Sequence, residues 1–397
     1  MRRSRLRVEL VDRLEAIDRA SFEELAAGRS LMVSRPYLLA VEADPSLEAR
    51  YLLAVEGDSR LVGVLPCYRW DGHPVPAMDT YDPAAMGGGW LLGDRSHSSE
   101  WRPTLFIGTR SGYVNEWLVH PREGDRTARV LRPTLTAAVA MARQGGCTSW
   151  AAMWMTSKAA AQVAEALGPA AHLMLGSGSA SLDADFPSFE AYLASLSSSR
   201  RHAVRRERAR FAASHLQVTE ARLSDCVRAL AQLAAPLQAR YGHPHSVAQL
   251  EEEFSRQARR LDSCSWVLIC RREGRPAGFT LFYRWGDTLY GRAAGFDYQE
   301  VAGTAAYFNL AFYLPLEHAM RTGARTLHLG LASWQAKVVR GARLEPSWLW
   351  ITPPRRWRSR WPELVRDQPL GVRAWLQQQV GGPLGGLDQP GWESPVP

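Results

Sequence analysis

Two stretches of this sequence, AVEGDSRLVGVLPCY at residues 54–68 and ICRREGRPAGFTLFY at residues 269–283, decide the fold. Each stretch is an apolar run, a short turn of glycine and charged residues, and a second apolar run, which predicts a β-hairpin. At a separation of 215 residues three positions are identical: Arg60 and Arg275, Gly63 and Gly278, Tyr68 and Tyr283. The repetition indicates that the chain contains two copies of one structural unit.

A second pair of similar stretches follows the first in the same order. Residues 140–152, AMARQGGCTSWAA, match residues 318–330, HAMRTGARTLHLG, at a separation of 178. Each predicts the end of a helix, a glycine cap and a strand. Each half therefore runs hairpin, further strand, helix, strand. The separations of 215 and 178 differ by 37, so the first half carries an insertion of that size, which falls at residues 71–120.

The composition is that of a folded, water-soluble protein. The chain has 397 residues, of which 46% are hydrophobic and 22% are charged, and this length favours two domains. No apolar stretch approaches the roughly 20 residues of a membrane-spanning helix. The basic start is interrupted by Glu9 and Asp12, where a signal peptide needs an apolar core. We therefore expect a cytoplasmic protein without a membrane partner, and its five cysteines predict no disulfide framework.

The charge favours a polyanionic partner. The net charge is +8, and all but two of the 48 basic residues are arginine. A GC-rich genome explains the preference for arginine but not the sign of the charge, which suits RNA or a nucleotide phosphate. The segment 199–211 is predicted to be a helix with Arg201, Arg205 and Arg208 on one face. Its predicted RNA-binding residues are Arg200, Arg201, Arg205, Arg206 and Arg208, and the alternative is an ordinary solvated helix.

The duplicated layout resembles two tandem GNAT-type acyltransferase domains. Residues 181–213, an acidic-aromatic helix followed by an arginine-rich one, resemble the opening of the second domain of Fem-type (FemABX-like) peptidyltransferases. Residues 326–344, TLHLGLASWQAKVVRGARL, resemble that family's closing motif of a strand ending in glycine, a lysine and a further glycine. The resemblance covers roughly residues 6–350.

The resemblance implies an α/β fold of two tandem GNAT-like domains, each a mixed sheet flanked by helices. The predicted N-terminal domain is 1–175, with the insertion 71–120 on the acceptor side. The predicted C-terminal domain, 180–352, is on the donor side. Residues 353–397 are predicted to form a basic, tryptophan-containing tail, which combines arginine and tryptophan as single-stranded RNA-binding segments do.

The resemblance also implies a function: transfer of an aminoacyl group from aminoacyl-tRNA to a small amine. The long coiled-coil arm of some cell-wall members has no counterpart in this sequence, which favours natural-product tailoring, such as antibiotic biosynthesis. Two alternatives stay open, an acyl-CoA-dependent N-acyltransferase and a non-catalytic RNA-binding protein. The expected partners are charged tRNA and a small amine, not DNA. No cofactor is expected beyond the co-substrate, aminoacyl-tRNA or, in the first alternative, acyl-CoA.

The predicted donor site precedes the helix of the second half. Glycine and threonine at the start of a helix leave backbone N–H groups free for an anion. The GNAT motif for CoA pyrophosphate, Q/R-x-x-G-x-G/A, would place Glu300 first, so the motif is degenerate and a CoA donor is disfavoured. An ordinary helix cap is the alternative. The predicted donor-binding residues are Gln299, Gly303, Thr304, Ala305 and Arg340.

Three residues are predicted to be catalytic: Lys337, Asp79 and Asp82. Lys337 is one of only two lysines and matches the family's lysine, so its compact charge is expected on a donor phosphate or the oxyanion. Asp79 and Asp82, with Tyr81 as an acceptor-binding residue, are expected to hold the acceptor ammonium or take its proton. Turn-forming aspartates before Pro83 are the alternative. No metal site is predicted.

Overall fold

A computed structural model of the protein describes residues 6–72, 79–381, 386–387 and 391–395. The chain forms two compact units. Unit 1 holds residues 1–178, 346–378 and 387–397, and unit 2 holds residues 179–345 and 379–386.

Both units contain strands and helices. The strands are β1 (Leu6–Val11), β2 (Leu47–Glu56), β3 (Arg60–Trp70), β4 (Thr104–Ile107), β5 (Leu118–Val119), β6 (Ser149–Thr156), β7 (Leu173–Asp183), β8 (Gln217–Ala221), β9 (Ser265–Arg272), β10 (Arg275–Trp285), β11 (Thr288–Phe296), β12 (Thr326–Gly330) and β13 (Arg343–Thr352). The helices are α1 (Arg19–Ala26), α2 (Arg35–Glu42), α3 (Trp90–Leu92), α4 (Thr127–Gln144), α5 (Ser157–Leu167), α6 (Phe189–Ser195), α7 (Ser198–Ala212), α8 (Val227–Arg240), α9 (Val247–Leu261), α10 (Ala306–Phe308), α11 (Leu314–Thr322), α12 (Trp334–Val338), α13 (Trp361–Arg366) and α14 (Gln368–Val380). Within the described ranges, none of these helices has both the length and the apolar character needed to cross a bilayer.

Each unit is built on a mixed sheet. In unit 1 the strand order is β1, β2, β3, β4, β6 and β13, and β5 pairs with β3. In unit 2 the last residues of β7 pair with β12, and β11, β10, β9 and β8 follow. The central strands are almost wholly buried, as their continuous apolar runs require.

The two predicted hairpins are confirmed and are equivalent in detail. β2 pairs with β3, and β9 with β10, both antiparallel. Val62 in the first hairpin and Ala277 in the second are each left out of the ladder by a β-bulge, which inserts one extra residue and increases the local twist. These two bulges are 215 residues apart, the separation found in the sequence.

A glycine follows each bulge because a neighbour lies too close for a side chain. A Cβ at Gly63 would lie 2.7 Å from a methyl of Val130 on α4. A Cβ at Gly278 would lie 2.5 Å from the ring of Phe296 on β11. Both glycines of the repeat are therefore required because a neighbouring side chain occupies the place of their Cβ.

The second repeat is also confirmed. In unit 1, α4 connects β4 to its parallel neighbour β6, and in unit 2 the stretch containing α10 and α11 connects β11 to its parallel neighbour β12. Parallel neighbours need such a crossover. The helices end at the predicted glycines, Gly145 after α4 and Gly323 after α11, where Gly323 adopts φ +72°.

The structure places the extra residues of the first half between β3 and β4, within the predicted range 71–120. Residues 71–103 connect β3 to β4, whereas only Gly286 and Asp287 connect β10 to β11. The described part of this insertion consists of short helical turns, including α3.

The end of unit 2 differs from the predicted domain 180–352. Strand β13 pairs with β6, for example Ser347 with Thr156, so residues 346–352 belong to unit 1. The reason is the backbone ladder: β13 satisfies its N–H and C=O groups on β6.

Most of the predicted tail belongs to unit 1. Residues 353–378 contain α13 and most of α14. Trp361 is buried, with its ring edge-to-face on Trp101 at 6.1 Å. Burying an indole is strongly favourable, so Trp361 stabilises the core of unit 1 and its ring is not free to stack on RNA.

Candidate active site

The loop between β11 and α10, residues 297–305, contains four of the five predicted donor-binding residues. The Asp297 carboxylate accepts hydrogen bonds from the backbone N–H groups of Gln299 (3.0 Å) and Glu300 (3.3 Å), which bends the chain. The Glu300 carboxylate lies 3.2 Å from Nε of Arg272. The negative charge at the first position of the CoA motif is therefore neutralised, and the Gln299 side chain is exposed.

Two residues of this loop have left-handed backbones. Gly303 has φ +71° and Ala305 has φ +59°. Thr304, between them, is buried; its hydroxyl donates to the Val301 carbonyl (2.7 Å) and accepts from the Ala306 N–H (3.2 Å). The three predicted residues thus form a compact turn, and Thr304 uses its hydroxyl to hold it.

Arg340 lies in a buried polar cluster of unit 2 and is only 6% exposed. Its Nη2 donates to both carboxylate oxygens of Glu207, at 2.7 and 2.8 Å. Its Nε donates to the Tyr313 hydroxyl (2.8 Å) and its Nη1 to the Ala336 carbonyl (2.7 Å). The guanidinium lies 3.6 Å from the Phe308 ring centroid. Four of its five N–H groups are used within the cluster, and the donor contact predicted for Arg340 stays a prediction.

The cluster joins three elements: α7, α12 and the π-helical turn Asn309–Tyr313. Asn309 also donates to the Glu207 carbonyl (3.2 Å). Sequence reasoning missed Glu207, although a signal was present. Helical spacing places it on the same face as Val204 and Phe211, the apolar seam of an otherwise basic helix. A carboxylate on a buried face requires a buried cation.

Lys337 is 5% exposed, and its ammonium binds backbone carbonyls at the end of β12. Nζ donates to three consecutive carbonyls, Leu329 at 2.7 Å, Gly330 at 3.1 Å and Leu331 at 3.1 Å. Burial lowers the pKa of Lys337 to about 7, while the three acceptors favour the charged form that donates to all of them. The lysine predicted from the sequence is thus placed at the end of the strand, bound to backbone.

The loop after β12 is strained. Ala332 and Ser333 have φ +68° and +51°, and Gly330 has φ +70°. Left-handed backbones at non-glycine residues cost about 1–3 kcal/mol each and cluster at functional sites. The Ser333 side chain lies close enough to the half-buried Tyr307 to lower the pKa of its hydroxyl, against the larger rise caused by burial. Lys337 holds the carbonyls that lead into this loop.

His328 is a half-buried, neutral imidazole beside this loop. Burial lowers the pKa of His328 to about 3. Nδ1 accepts from the Gly330 N–H (3.1 Å), so Nε2 carries the proton and faces the Ser179 hydroxyl at 3.2 Å. Both ring nitrogens are therefore engaged in holding the strand end.

Helix α7 is confirmed, but the predicted basic face divides into paired and unpaired arginines. Arg205 pairs with Glu190 (2.8 Å) and Arg208 with Glu317 (2.6 Å). Arg208 also lies 4.1 Å from the Phe189 ring centroid. Four arginines of the helix have no carboxylate partner among the described residues: Arg200, Arg201, Arg206 and Arg210. These four are the available phosphate ligands of α7.

In unit 1, Asp82 is buried and already has partners. Its carboxylate accepts from the Ala84 N–H (2.8 Å) and forms an ion pair with Arg102. The Arg102 guanidinium lies 4.0 Å from the Trp70 ring centroid. The Tyr81 carbonyl accepts from Arg110 at 3.3 Å. Asp82 therefore fastens the insertion to the end of β3.

The rest of the predicted acceptor segment is only partly described. Asp79 begins a short helical turn, Asp79–Tyr81, but its side chain lies outside the described residues, as do residues 73–78. The acceptor roles predicted for Asp79, Tyr81 and Asp82 stay predictions.

We expect Asp82→Asn to lower the free energy of unfolding by about 1–3 kcal/mol, because a charged hydrogen-bond acceptor is lost from a buried position. Urea denaturation measures this change. Arg102→Met is the matched variant, since it breaks the same pair from the other side. Wild-type stability together with a kcat/KM lowered about 10²–10⁴-fold would instead assign Asp82 to proton transfer.

In the part of the chain that the structure describes, His, Cys, Asp and Glu side chains form no group of three or more that could hold a metal ion.

A family model named FemAB-like, described as peptidoglycan biosynthesis/recognition, matches residues 95–355. No curated protein sequence matches the chain. The crystal structure of FemX is similar at a TM-score of 0.56 and 11% identity, over 90% of this chain and 99% of that one. A tandem GNAT protein from the clavulanic acid biosynthesis pathway is similar at 0.50 and 13%, over 88% and 98%. A conserved protein from Bacteroides thetaiotaomicron is similar at 0.51 and 10%, over 87% and 99%. At these identities the three structures establish the fold, two tandem GNAT-like domains.

Proposed function

The chain is an acyltransferase of the FemAB-like family, and from this premise we propose that it transfers an aminoacyl group from aminoacyl-tRNA to a small amine. The acceptor nitrogen attacks the aminoacyl carbonyl and a C–N bond forms. The ester bond to the terminal ribose breaks, the ribose hydroxyl leaves with tRNA, and the amine loses one proton. The reaction needs a stabilised oxyanion and a proton acceptor, and no cofactor.

The observation that carries this proposal is the unpaired basic surface of α7. Glu207 of α7 is bonded to Arg340 and receives a hydrogen bond from Asn309, so α7 lies against the helical stretch that follows the 297–305 loop. Four arginines of the same helix have no carboxylate partner within the described ranges, and they suit a donor with many phosphates. A tRNA offers many phosphates, and CoA offers few.

Within this proposal the predicted site residues take these roles. The turn at Gly303, Thr304 and Ala305 receives the last phosphate of the donor. The ester lies beside the strained loop 330–333, whose shape Lys337 maintains. Asp79, Tyr81 and Asp82 belong to the acceptor side of unit 1.

For the acceptor we propose a small amine of natural-product tailoring, in the cytoplasm, where charged tRNA is made. The supporting observation is that α8 and α9 have 14 and 15 residues and form no long arm. The family description names peptidoglycan, so an amine on a cell-wall precursor is the competing acceptor.

A second candidate is acyl transfer from acyl-CoA. The observation that favours it is the left-handed turn at Gly303 and Ala305 before a helix, the arrangement that cradles a pyrophosphate in phosphate-binding loops.

The two candidates are separated by supplying each donor. Purified protein is incubated with total tRNA charged with radiolabelled amino acids and with a mixture of amines, or with radiolabelled acetyl-CoA and the same amines. We expect an amide product from charged tRNA that RNase abolishes. Product from acetyl-CoA alone would contradict the proposal and favour the second candidate. A cell-wall precursor in the acceptor mixture tests the competing acceptor.

The salt dependence of tRNA binding tests the α7 surface. Arg201, Arg206 and Arg210, changed together to Ala, are expected to flatten the slope of log K against log salt by about 0.9 per lost duplex-phosphate contact. The matched control is Arg321, Arg325 and Arg343 to Ala, which removes the same charge from exposed, paired positions of unit 2. Equal slopes for the two triple variants would make α7 an ordinary solvated surface.

A further inference from the structure

Two tyrosines of unit 2 are exposed beside the donor loop. Tyr241 is 67% exposed and Tyr298 is 46% exposed. Tyr241 follows the last residue of α8, and Tyr298 is the second residue of the loop 297–305. Exposed tyrosine rings are surfaces on which a planar ligand can stack.

The two tyrosines lie near each other where α8 packs on β11. A Cβ at Gly295 would lie 2.6 Å from the backbone oxygen of Leu233, so only glycine lets the middle of α8 pack this closely on β11. Tyr241 lies close enough to Tyr298 to raise the pKa of the Tyr298 hydroxyl. The Arg240 guanidinium lies 5.2 Å from the Tyr298 ring centroid.

The tyrosine pair is connected to the strained loop at the end of β12. Tyr307 is half-buried, and Tyr241, Tyr298 and Ser333 all lie close enough to it to affect the pKa of its hydroxyl. The exposed rings, the 297–305 loop and the 330–333 loop therefore form one contiguous part of unit 2.

We propose that Tyr241 and Tyr298, with Arg240, form a platform on which the terminal adenine of the donor stacks. This inference rests on the proposed function, because every tRNA ends in an adenosine that carries the amino acid. The ring stacked on the platform would place the adjoining ribose ester on the side of Tyr307 and the 330–333 loop.

The chemistry of the site favours a nucleobase. Single-stranded nucleic acids bind to exposed aromatic rings on which bases stack, next to cationic groups that track the backbone. The tyrosine pair supplies the rings, and Arg240 supplies a cation that stacks on one of them. The unpaired arginines of α7 supply the phosphate contacts. Helix α7 packs against the π-helical turn Asn309–Tyr313, which follows the 297–305 loop.

Direct binding tests the platform without requiring turnover. The probes are an uncharged RNA minihelix with a single-stranded ACCA end, the same minihelix lacking the last adenosine, and CoA. The variants are Tyr298→Ala, Tyr241→Ala and Tyr298→Phe. Trp90→Ala is the control, because Trp90 is exposed to a similar degree but belongs to unit 1.

We expect Tyr298→Ala and Tyr241→Ala each to weaken binding of the full minihelix by about 5- to 150-fold, the effect of losing one stacked base. Tyr298→Phe and Trp90→Ala should bind as wild type. The minihelix without adenosine should bind wild type and the alanine variants equally. The inference is overturned if the alanine variants bind the full minihelix as tightly as wild type does. It is also overturned if they lose the same affinity for both minihelices, because the platform then does not hold the terminal base.

The CoA arm and the transfer assay separate this inference from the proposed function. Weakened CoA binding with unchanged RNA binding would retain an adenine platform but assign it to CoA, against the proposed donor. Wild-type transfer from charged tRNA with no effect of the tyrosine variants on binding would retain the function and overturn the platform.

Discussion

Arg340→Met is expected to lower the free energy of unfolding by about 3–5 kcal/mol, because the Glu207 carboxylate loses its cation in a largely buried ion pair and keeps only the hydrogen bond from the Tyr313 hydroxyl. The Glu207 carboxylate would lose both bonds from Nη2, and the Tyr313 hydroxyl would lose the bond from Nε. Since the cluster joins α7, α12 and the π-helical turn, the loss loosens three elements of unit 2. Denaturant unfolding followed by circular dichroism measures it.

Two further variants make this result specific. Arg343→Met breaks the ion pair with Asp183, which is exposed on both sides, and is expected to cost at most about 1 kcal/mol. The double variant Glu207→Leu/Arg340→Met removes both charges and is expected to be no less stable than Arg340→Met alone. An Arg340→Met protein that unfolds at the wild-type midpoint would show that the pair is not a source of stability.

Most of the fold is predictable from the sequence because its signals are local. The hairpins follow from apolar runs around short turns, and the helix ends follow from glycines at fixed positions. The bulges at Val62 and Ala277 even preserve the separation of 215 residues. The assignment of residues 346–352 to unit 1 has no local signal, because β13 pairs with β6 through its backbone N–H and C=O groups. Nothing in the side-chain pattern of 346–352 specifies that partner.

For the site, the sequence predicts candidate residues but not the contacts that these residues make. Composition singles out Lys337, yet its three carbonyl partners depend on left-handed backbones at Ala332 and Ser333, which non-glycine residues rarely adopt. Arg340 and Glu207 are 133 residues apart, and their contact requires the folded unit. Tyr241 and Tyr298 are ordinary loop residues in the sequence, and only the folded unit places them near each other.

Lys337→Met is expected to lower turnover at least tenfold. This loss is smaller than the roughly 10²–10³-fold fall in kcat that follows removal of an oxyanion donor. The physical reason is that three consecutive carbonyls at the end of β12 lose their donor. The strained loop that follows then relaxes. Lys337→Arg should recover only part of the activity, because a planar fork does not fit a site built around a point charge. Lys158→Met, at the other lysine, which is exposed, should be nearly silent.

The pH dependence of stability shows whether Lys337 acts from its buried position. The unfolded chain keeps the lysine proton up to the ordinary pKa of 10.5, whereas the folded chain releases it above a pKa of about 7. Between these values the unfolded state binds more protons, so raising the pH favours the folded state. Lys337 should therefore add a rise of up to about 1.4 kcal/mol per pH unit above pH 7 to the wild-type free energy of unfolding, measured as the difference from Lys337→Met, and Lys158→Met should follow the wild type. Lys337→Met should lack this rise. If the difference in free energy of unfolding between Lys337→Met and the wild type stays constant from pH 7 to 10, the carbonyls hold the ammonium charged throughout.

The turnover prediction has its own contradicting outcome. Full turnover by Lys337→Arg would show that the compact charge of lysine is not needed for the reaction.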